Sequence, residues 1–112
     1  MDFLDKGQQL HYVTGDHHIT LMDDKTWVGE ISYPGVSAQR VVVERTFVRP
    51  EYRGRGLGSQ LVAHFVKEAK KEAFTVKLMC PFATLIFGQH PEYQELLLPE
   101  DRFEGRKSNG SN

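Results

Sequence analysis

The first half of the chain alternates apolar and polar residues with a period of about two, the spacing of half-buried strands. Gln8 to Thr14, His18 to Met22 and Trp27 to Tyr33 each follow it, separated by turn residues at Gly15-Asp16 and Asp23-Asp24-Lys25. The spacing predicts an antiparallel meander. Pro34-Gly35 marks a further turn before a long β-branched run, Arg40 to Val48. Read as one strand, the run puts Val41, Val43 and Phe47 on one face and Val42, Glu44, Thr46 and Val48 on the other. Both faces are then largely apolar, which predicts a central strand.

After Arg49-Pro50 the period changes. Leu57, Leu61, Val62, Phe65, Val66, Ala69 and Ala73 recur at helical spacing, with Gln60, His64, Lys67, Glu68, Lys70, Lys71 and Glu72 opposite. Phe74 to Met79 reads as another strand, Pro81 to Phe87 as a second helix ended by Gly88, and His90-Pro91 as the start of a short helical turn carrying Tyr93, Leu96 and Leu97. The unit from Arg40 to Met79 is strand, helix, strand, which predicts a parallel pair joined by a right-handed crossover. The expected architecture is α+β, a mixed α/β sheet that is antiparallel at its start and splayed near the parallel pair, with the long helix on one face. Residues 1–98 are expected to form one compact domain, and Pro99 to Asn112 a polar, disordered tail.

Composition narrows the class. With 112 residues, 39% hydrophobic and 26% charged, the chain supports one modest core and no second domain. Fourteen Lys plus Arg against fifteen Asp plus Glu leave a net charge of -1, so no global basic field draws nucleic acid or anionic membrane. Neither is expected as a partner. Cys80 stands alone, which excludes an internal disulfide and leaves no Cys and His set for a metal, and a reducing cytoplasm is expected. Apolar runs such as Leu96 to Leu98 are far below the ~20 residues of a membrane span, and the start MDFLDKG does not resemble a signal peptide.

The candidate chemistry lies between the β-branched run and the long helix, in Tyr52-Arg53-Gly54-Arg55-Gly56-Leu57-Gly58. Glycines let the backbone take positive φ and approach a ligand, and the unpaired N–H groups of a helix start point at an anion. Charge is distributed accordingly: residues 40–55 hold five Arg and two Glu, whereas residues 1–30 hold six acids and two Lys. A phosphate or pyrophosphate is the expected ligand. A Walker A loop needs a Lys after its last glycine and none follows, and the spacing of Gly54, Gly56 and Gly58 does not fit the dinucleotide pattern GxGxxG. What fits is RxxGxG, on Arg53, Gly56 and Gly58.

On these residues the segment TFVRPEYRGRGLGSQLVAHFVKEA resembles the pyrophosphate loop and following helix of the GNAT acetyltransferases. With Gly29-Glu30-Ile31-Ser32-Tyr33, Cys80-Pro81-Phe82-Ala83 and Pro91-Glu92-Tyr93-Gln94, it is similar to the small YjdJ-type subgroup, over about residues 8–98. The resemblance implies a compact fold without the usual N-terminal helix pair, and acetyl-CoA as cosubstrate. It places the pyrophosphate on the backbone of Arg53, Gly54, Arg55, Gly56, Leu57 and Gly58, and the pantetheine arm along Thr46, Phe47 and Val48. The subgroup's nucleophile position falls on Cys80. Cys80 also precedes Pro81, as a helix cap where free N–H groups and the helix dipole favour a thiolate.

Each candidate has a plainer role beside it. Cys80 is equally the small buried residue that free cysteines usually are. Glu44, on the face of Thr46, is the candidate base for direct attack of an amine on the thioester; its plain role is pairing with Arg45 or Arg40. Tyr93 resembles the tyrosine that protonates the leaving thiolate in larger relatives, yet its spacing from Cys80 differs and packing is its plain role. His90 is expected to cap the last helical turn, and His11, His17 and His18 to be solvated turn residues. Phe82, Phe87 and Trp27 are expected in the core or lining a pocket, since no basic strand face accompanies them.

The expected function is acetyl transfer from acetyl-CoA to an amine, on a small molecule or a protein, by a monomer or homodimer. The alternative is a non-catalytic CoA- or acyl-CoA-binding or sensor module, because a loop that holds the cofactor does not establish chemistry. A nucleic-acid binder is the weakest alternative.

Overall fold

The computed structural model describes residues 9–103. Strands β1 (Leu10–Gly15), β2 (His18–Asp23) and β3 (Thr26–Ser32) form the expected antiparallel meander. His17 and Asp24 take the left-handed backbone conformation in its two tight turns. After a short β4 (Gly35–Ser37) come β5 (Arg40–Val43) and β6 (Arg45–Val48), then helix α1 (Leu57–Glu72), strand β7 (Thr75–Leu78) and helix α2 (Pro81–Gln89). Two sheets result, β1-β2-β3-β6 and β4-β5-β7. β5 and β7 are parallel, as a strand-helix-strand unit requires.

The single central strand expected over Arg40 to Val48 is two strands. The Glu44 N–H donates to Ser32 O while Arg45 pairs with the same Ser32, so two residues of one strand face one of the other. That is a β-bulge, and it reverses the in-out alternation. Val41 and Val43 are buried before it, Val48 after it, and Phe47 turns outward with Arg45. Both faces of the run look apolar because the buried face changes parity within it. β5 is central in its own sheet, whereas β6 pairs with β3 alone among the described residues. The last bond holding β7 to this run is Met79 N–H to Val43 O, 2.9 Å, so the sheets part at Glu44.

α1 carries the predicted stripe: Leu57, Leu61, Val62, Phe65, Val66 and Ala69 are buried against Ile19, Leu21, Val28 and Ile31 of the sheet. Ala73 is exposed and ends the helix in the left-handed conformation, outside the stripe predicted for it. The packed chain also runs past residue 98. Leu97 bridges to Val76, Pro99–Asp101 forms a 3-10 turn, and the Phe103 N–H donates to the Oε1 of buried Gln94, 2.8 Å. The remainder of the expected tail lies outside the described residues.

β1 is held on α1 by Tyr12, whose ring stacks on His64 at 3.6 Å and whose hydroxyl donates to Gln60 Oε1, 3.0 Å. Burial, and then the charge of Lys67, push the His64 pKa below its usual value. The folded state therefore prefers neutral His64. Its contribution is fully present above about pH 6.5, the unfolded value, and is lost as pH falls through the lower folded value. The melting temperature is expected to fall between pH 7.5 and 5, and His64→Phe to remove part of that fall; a slope equal to the parent's would contradict the assignment.

Candidate active site

Pro50–Tyr52 forms a 3-10 turn off β6, and the chain then runs through Arg53, Gly54 and Arg55 to Gly56, the N-cap of α1. Gly54 and Gly56 have φ of 84° and 76°, the region that favours glycine. A Cβ on either would meet nothing within 4 Å, so both glycines serve conformation and leave the space above them open. Among the described residues, no side chain caps the first turn of α1. Gly58 differs: a Cβ there would stand 2.9 Å from Phe82 Cζ, so α1 and α2 meet across it.

Two side chains, Arg53 and Tyr52, hold the loop. Arg53 Nε donates to Val48 O, 2.7 Å, and its guanidinium lies over the Phe47 ring, 5.4 Å from the centroid. The Tyr52 hydroxyl donates to Asp23 Oδ2, 2.9 Å, and this bond, ahead of burial, raises the Tyr52 pKa. Asp23 also accepts the Gln9 N–H through Oδ1, 2.8 Å. In the sequence Asp23 is one of three polar turn residues, and nothing local marks it as the anchor of a loop 29 residues away.

The loop walls one end of a cleft of about 290 Å³ whose other walls are Thr46 and Val48 of β6, Leu57, Gly58 and Ser59 of α1, and Phe82 of α2. The Arg49 N–H donates to Val28 O across the Gly29/Val48 pair. In an antiparallel ladder that bond marks a non-hydrogen-bonded pair, as does Ile31/Thr46 two residues on. The N–H and C=O of Thr46 and the N–H of Val48 therefore point away from β3 into the gap between the sheets. β6 offers a half-empty ladder to an extended ligand. Behind Thr46, outside the cleft lining, Cys80 Sγ donates to Thr46 Oγ1 and accepts from the Ala83 N–H, both at 3.5 Å. Cys80 is the N-cap of α2, as expected, and 4% exposed.

The structure thus brings together Thr46, Val48, Arg53, Gly54, Gly56, Leu57, Gly58 and Cys80. It does not bring in the others. The Phe47 ring and the Arg55 side chain, which lies over Tyr52, do not line the cleft. Glu44 is exposed at the bulge. Tyr93 packs edge-on against Phe87 and flat against His90, at the far end of α2 from Cys80, roughly 10 Å along the helix axis. Burial, then the Glu92 charge, raises the Tyr93 pKa. His90 is the N-cap residue of its turn, as expected, but makes no capping bond with its side chain, which contacts Glu92 Oε2 at 3.1 Å. Phe82 lines the cleft and Phe87 is buried, but Trp27 does neither. It stacks on Phe47, with the Arg45 and Arg53 guanidiniums over that ring, so a basic strand face does accompany it. The reversed parity after Glu44 put Arg45 and Phe47 there. The residues the motif left out are Ser59, Tyr52 and Asp23.

A family model described as GCN5-related N-acetyl-transferase matches residues 17–96. The chain belongs to this family. Among solved structures, a GCN5-like protein of Staphylococcus aureus matches with a TM-score of 0.66 and 25% identity, over 80% of this chain and 89% of its own. The ribosomal-protein-S18-alanine N-acetyltransferase of Escherichia coli matches at 0.55 and 17%, and the PaiA N-acetyltransferase of Thermoplasma acidophilum, in complex with coenzyme A, at 0.52 and 18%. They share the fold. The chain covers only 57% and 48% of these two larger proteins, while 79% and 64% of it is matched. No curated protein matches it. Membership in the GCN5-related family implies an acetyltransferase that uses acetyl-CoA. Among the described residues, no helix of this GCN5-related domain is long and apolar enough to cross a membrane.

Proposed function

We propose that this domain transfers an acetyl group from acetyl-CoA to an amine, and that it belongs to the small YjdJ-type subgroup and works in the cytoplasm. The observation that carries the transfer is the continuity of the cleft: a helix start without a side-chain cap, then the unpaired edge of β6, then the Thr46–Cys80 contact where the sheets part. The backbone of Arg53 to Gly58 binds the pyrophosphate through unpaired N–H groups. Thr46 and Val48 hold the pantetheine amides as a partner strand would. This directs the thioester to Thr46 and Cys80.

Two routes then balance. In the first, the Cys80 sulfur attacks the acetyl carbonyl, the bond to the CoA sulfur breaks and the departing CoA thiolate takes the Cys80 proton; the amine then attacks the acetyl-Cys80 carbonyl, and the released Cys80 thiolate takes the proton the amine gives up. In the second, the amine attacks the thioester carbonyl directly, the bond to the CoA sulfur breaks, the CoA thiolate takes the amine proton, and Cys80 supports Thr46. The burial of Cys80 outside the cleft lining favours the second, and its contact with Thr46, which does line the cleft, favours the first.

Intact mass after mixing with acetyl-CoA separates them. A gain of one acetyl group that Cys80→Ala abolishes, together with loss of transfer, is the outcome of the first route; transfer to an added amine with no acetylated protein is that of the second. Tight CoA binding with neither acetylation, hydrolysis nor transfer across a panel of amines and peptides would reject catalysis and leave a CoA-binding module.

A further inference from the structure

A second cavity, of about 310 Å³, lies at the other end of α1, between the β1–β2 turn, the end of β3 and the start of β7. Asp16, Glu68 and Glu72 line it with His17, Tyr33 and Phe74, and neither Lys nor Arg does. His17 is no plain solvated turn residue: its ring stands 6.0 Å from Tyr33 and 6.1 Å from Phe74. Asp16 contacts His17 Nδ1 at 3.0 Å, but Glu68 and Glu72 form no ion pair among the described residues. Tyr33 is 2% exposed and no described group hydrogen-bonds its hydroxyl; since no fully buried side-chain oxygen lacks a partner among the described residues, what Tyr33 exposes includes that oxygen, at the cavity it lines. Burial first, and then the charges of Glu68, Glu72 and Asp16, push its pKa up to about 12.

We propose that this cavity binds a small organic ammonium ion, held by the carboxylates of Glu68 and Glu72, the Tyr33 oxygen and the Phe74 ring, with Asp16, whose side chain is 97% exposed, adding negative charge at the rim. Carboxylates attract the charge, aromatic rings favour an organic cation, and the unused Tyr33 oxygen accepts an ammonium N–H. The carboxylates are too far apart for a metal: among the described residues no three His, Cys, Asp or Glu are grouped to hold one. The site is distinct from the acetyl-transfer cleft. Glu68 is about 18 Å along the helix axis from Gly56, and Phe74 lies at the opposite end of β7 from Cys80.

The test is an amide NMR titration of the whole chain with 1,4-diaminobutane, against sodium chloride at equal ionic strength. Saturable shifts at Gly15, Ala38 and Phe74, absent with salt, are expected. The Glu68→Gln, Glu72→Gln double variant should weaken binding by about tenfold or more, as expected for two charge-assisted contacts. Tyr33→Phe should weaken it about threefold without lowering the melting temperature, because no hydrogen bond within the protein is lost. Shifts that salt reproduces, or an affinity unchanged in the double variant, would overturn the proposal, whatever the outcome of the acetyl-transfer assays.

Discussion

Gly56→Val should lose CoA binding by about a hundredfold or more in calorimetry, the loss of two charge-assisted hydrogen bonds to phosphate, while still melting in one cooperative transition. The two halves of this expectation have separate causes. Gly56 has φ of 76°, and a β-branched residue held there is strained by roughly 1–2 kcal/mol. A typical domain of this size survives that loss. No described atom lies within 4 Å of the added Cβ, so the fold meets no clash. The methyl groups instead enter the open space at the start of α1, where the phosphates need the backbone bare. A variant that binds CoA as tightly as the parent would remove the loop from the site, and the acetyl-transfer proposal with it.

Gly29→Ala should destabilise the protein by about 3 kcal/mol or more, a loss reserved for a few severe mechanisms, of which backbone collision is one. A Cβ on Gly29 would collide with Phe47 O and stand 3.1 Å from Val48 Cα, and neither backbone atom can rotate aside. β6 must move off β3, and with it Thr46 and Val48. At about 4 °C or more per kcal/mol, the melting temperature should drop by more than ~10 °C. The two glycines thus fail in opposite ways. One spoils the ligand site and spares the fold; the other breaks the ladder that carries the site. A Gly29→Ala protein melting within a few degrees of the parent would show that β6 is free to shift.

The loop proposed to hold the cofactor is legible in the sequence because its signals are local. Arg53, Gly56 and Gly58 fall within six consecutive residues, and the stripe from Leu57 to Ala69 announces the helix they open. Cys80 before Pro81 announced a cap, and the structure has it as one. The acceptor side was not legible. Glu44 and Tyr93 were placed by face and by analogy, and both placements assumed distances that only the folded chain sets. Glu44 is exposed at a bulge, and Tyr93, in the 3-10 turn that follows α2, is tied to His90 and Phe87 at the end of α2 away from Cys80.

By itself the sequence determined the antiparallel meander, the parallel strand pair, the long helix and its glycine loop, since periodicity and turn chemistry act over a few residues. Tertiary structure decided which side of the β-branched run faces the cleft. A period-two pattern cannot register one extra residue when both faces carry valines, so the bulge at Glu44, and with it the inward turn of Thr46 and Val48, appeared only when Ser32 was found opposite two residues. It also decided the contacts between distant segments. Thr46 and Cys80 lie 34 residues apart, and the acidic cavity is built from the β1–β2 turn, Tyr33 and the far end of α1. No spacing encodes such encounters, because they arise from packing a helix on a sheet and not from any repeat along the chain.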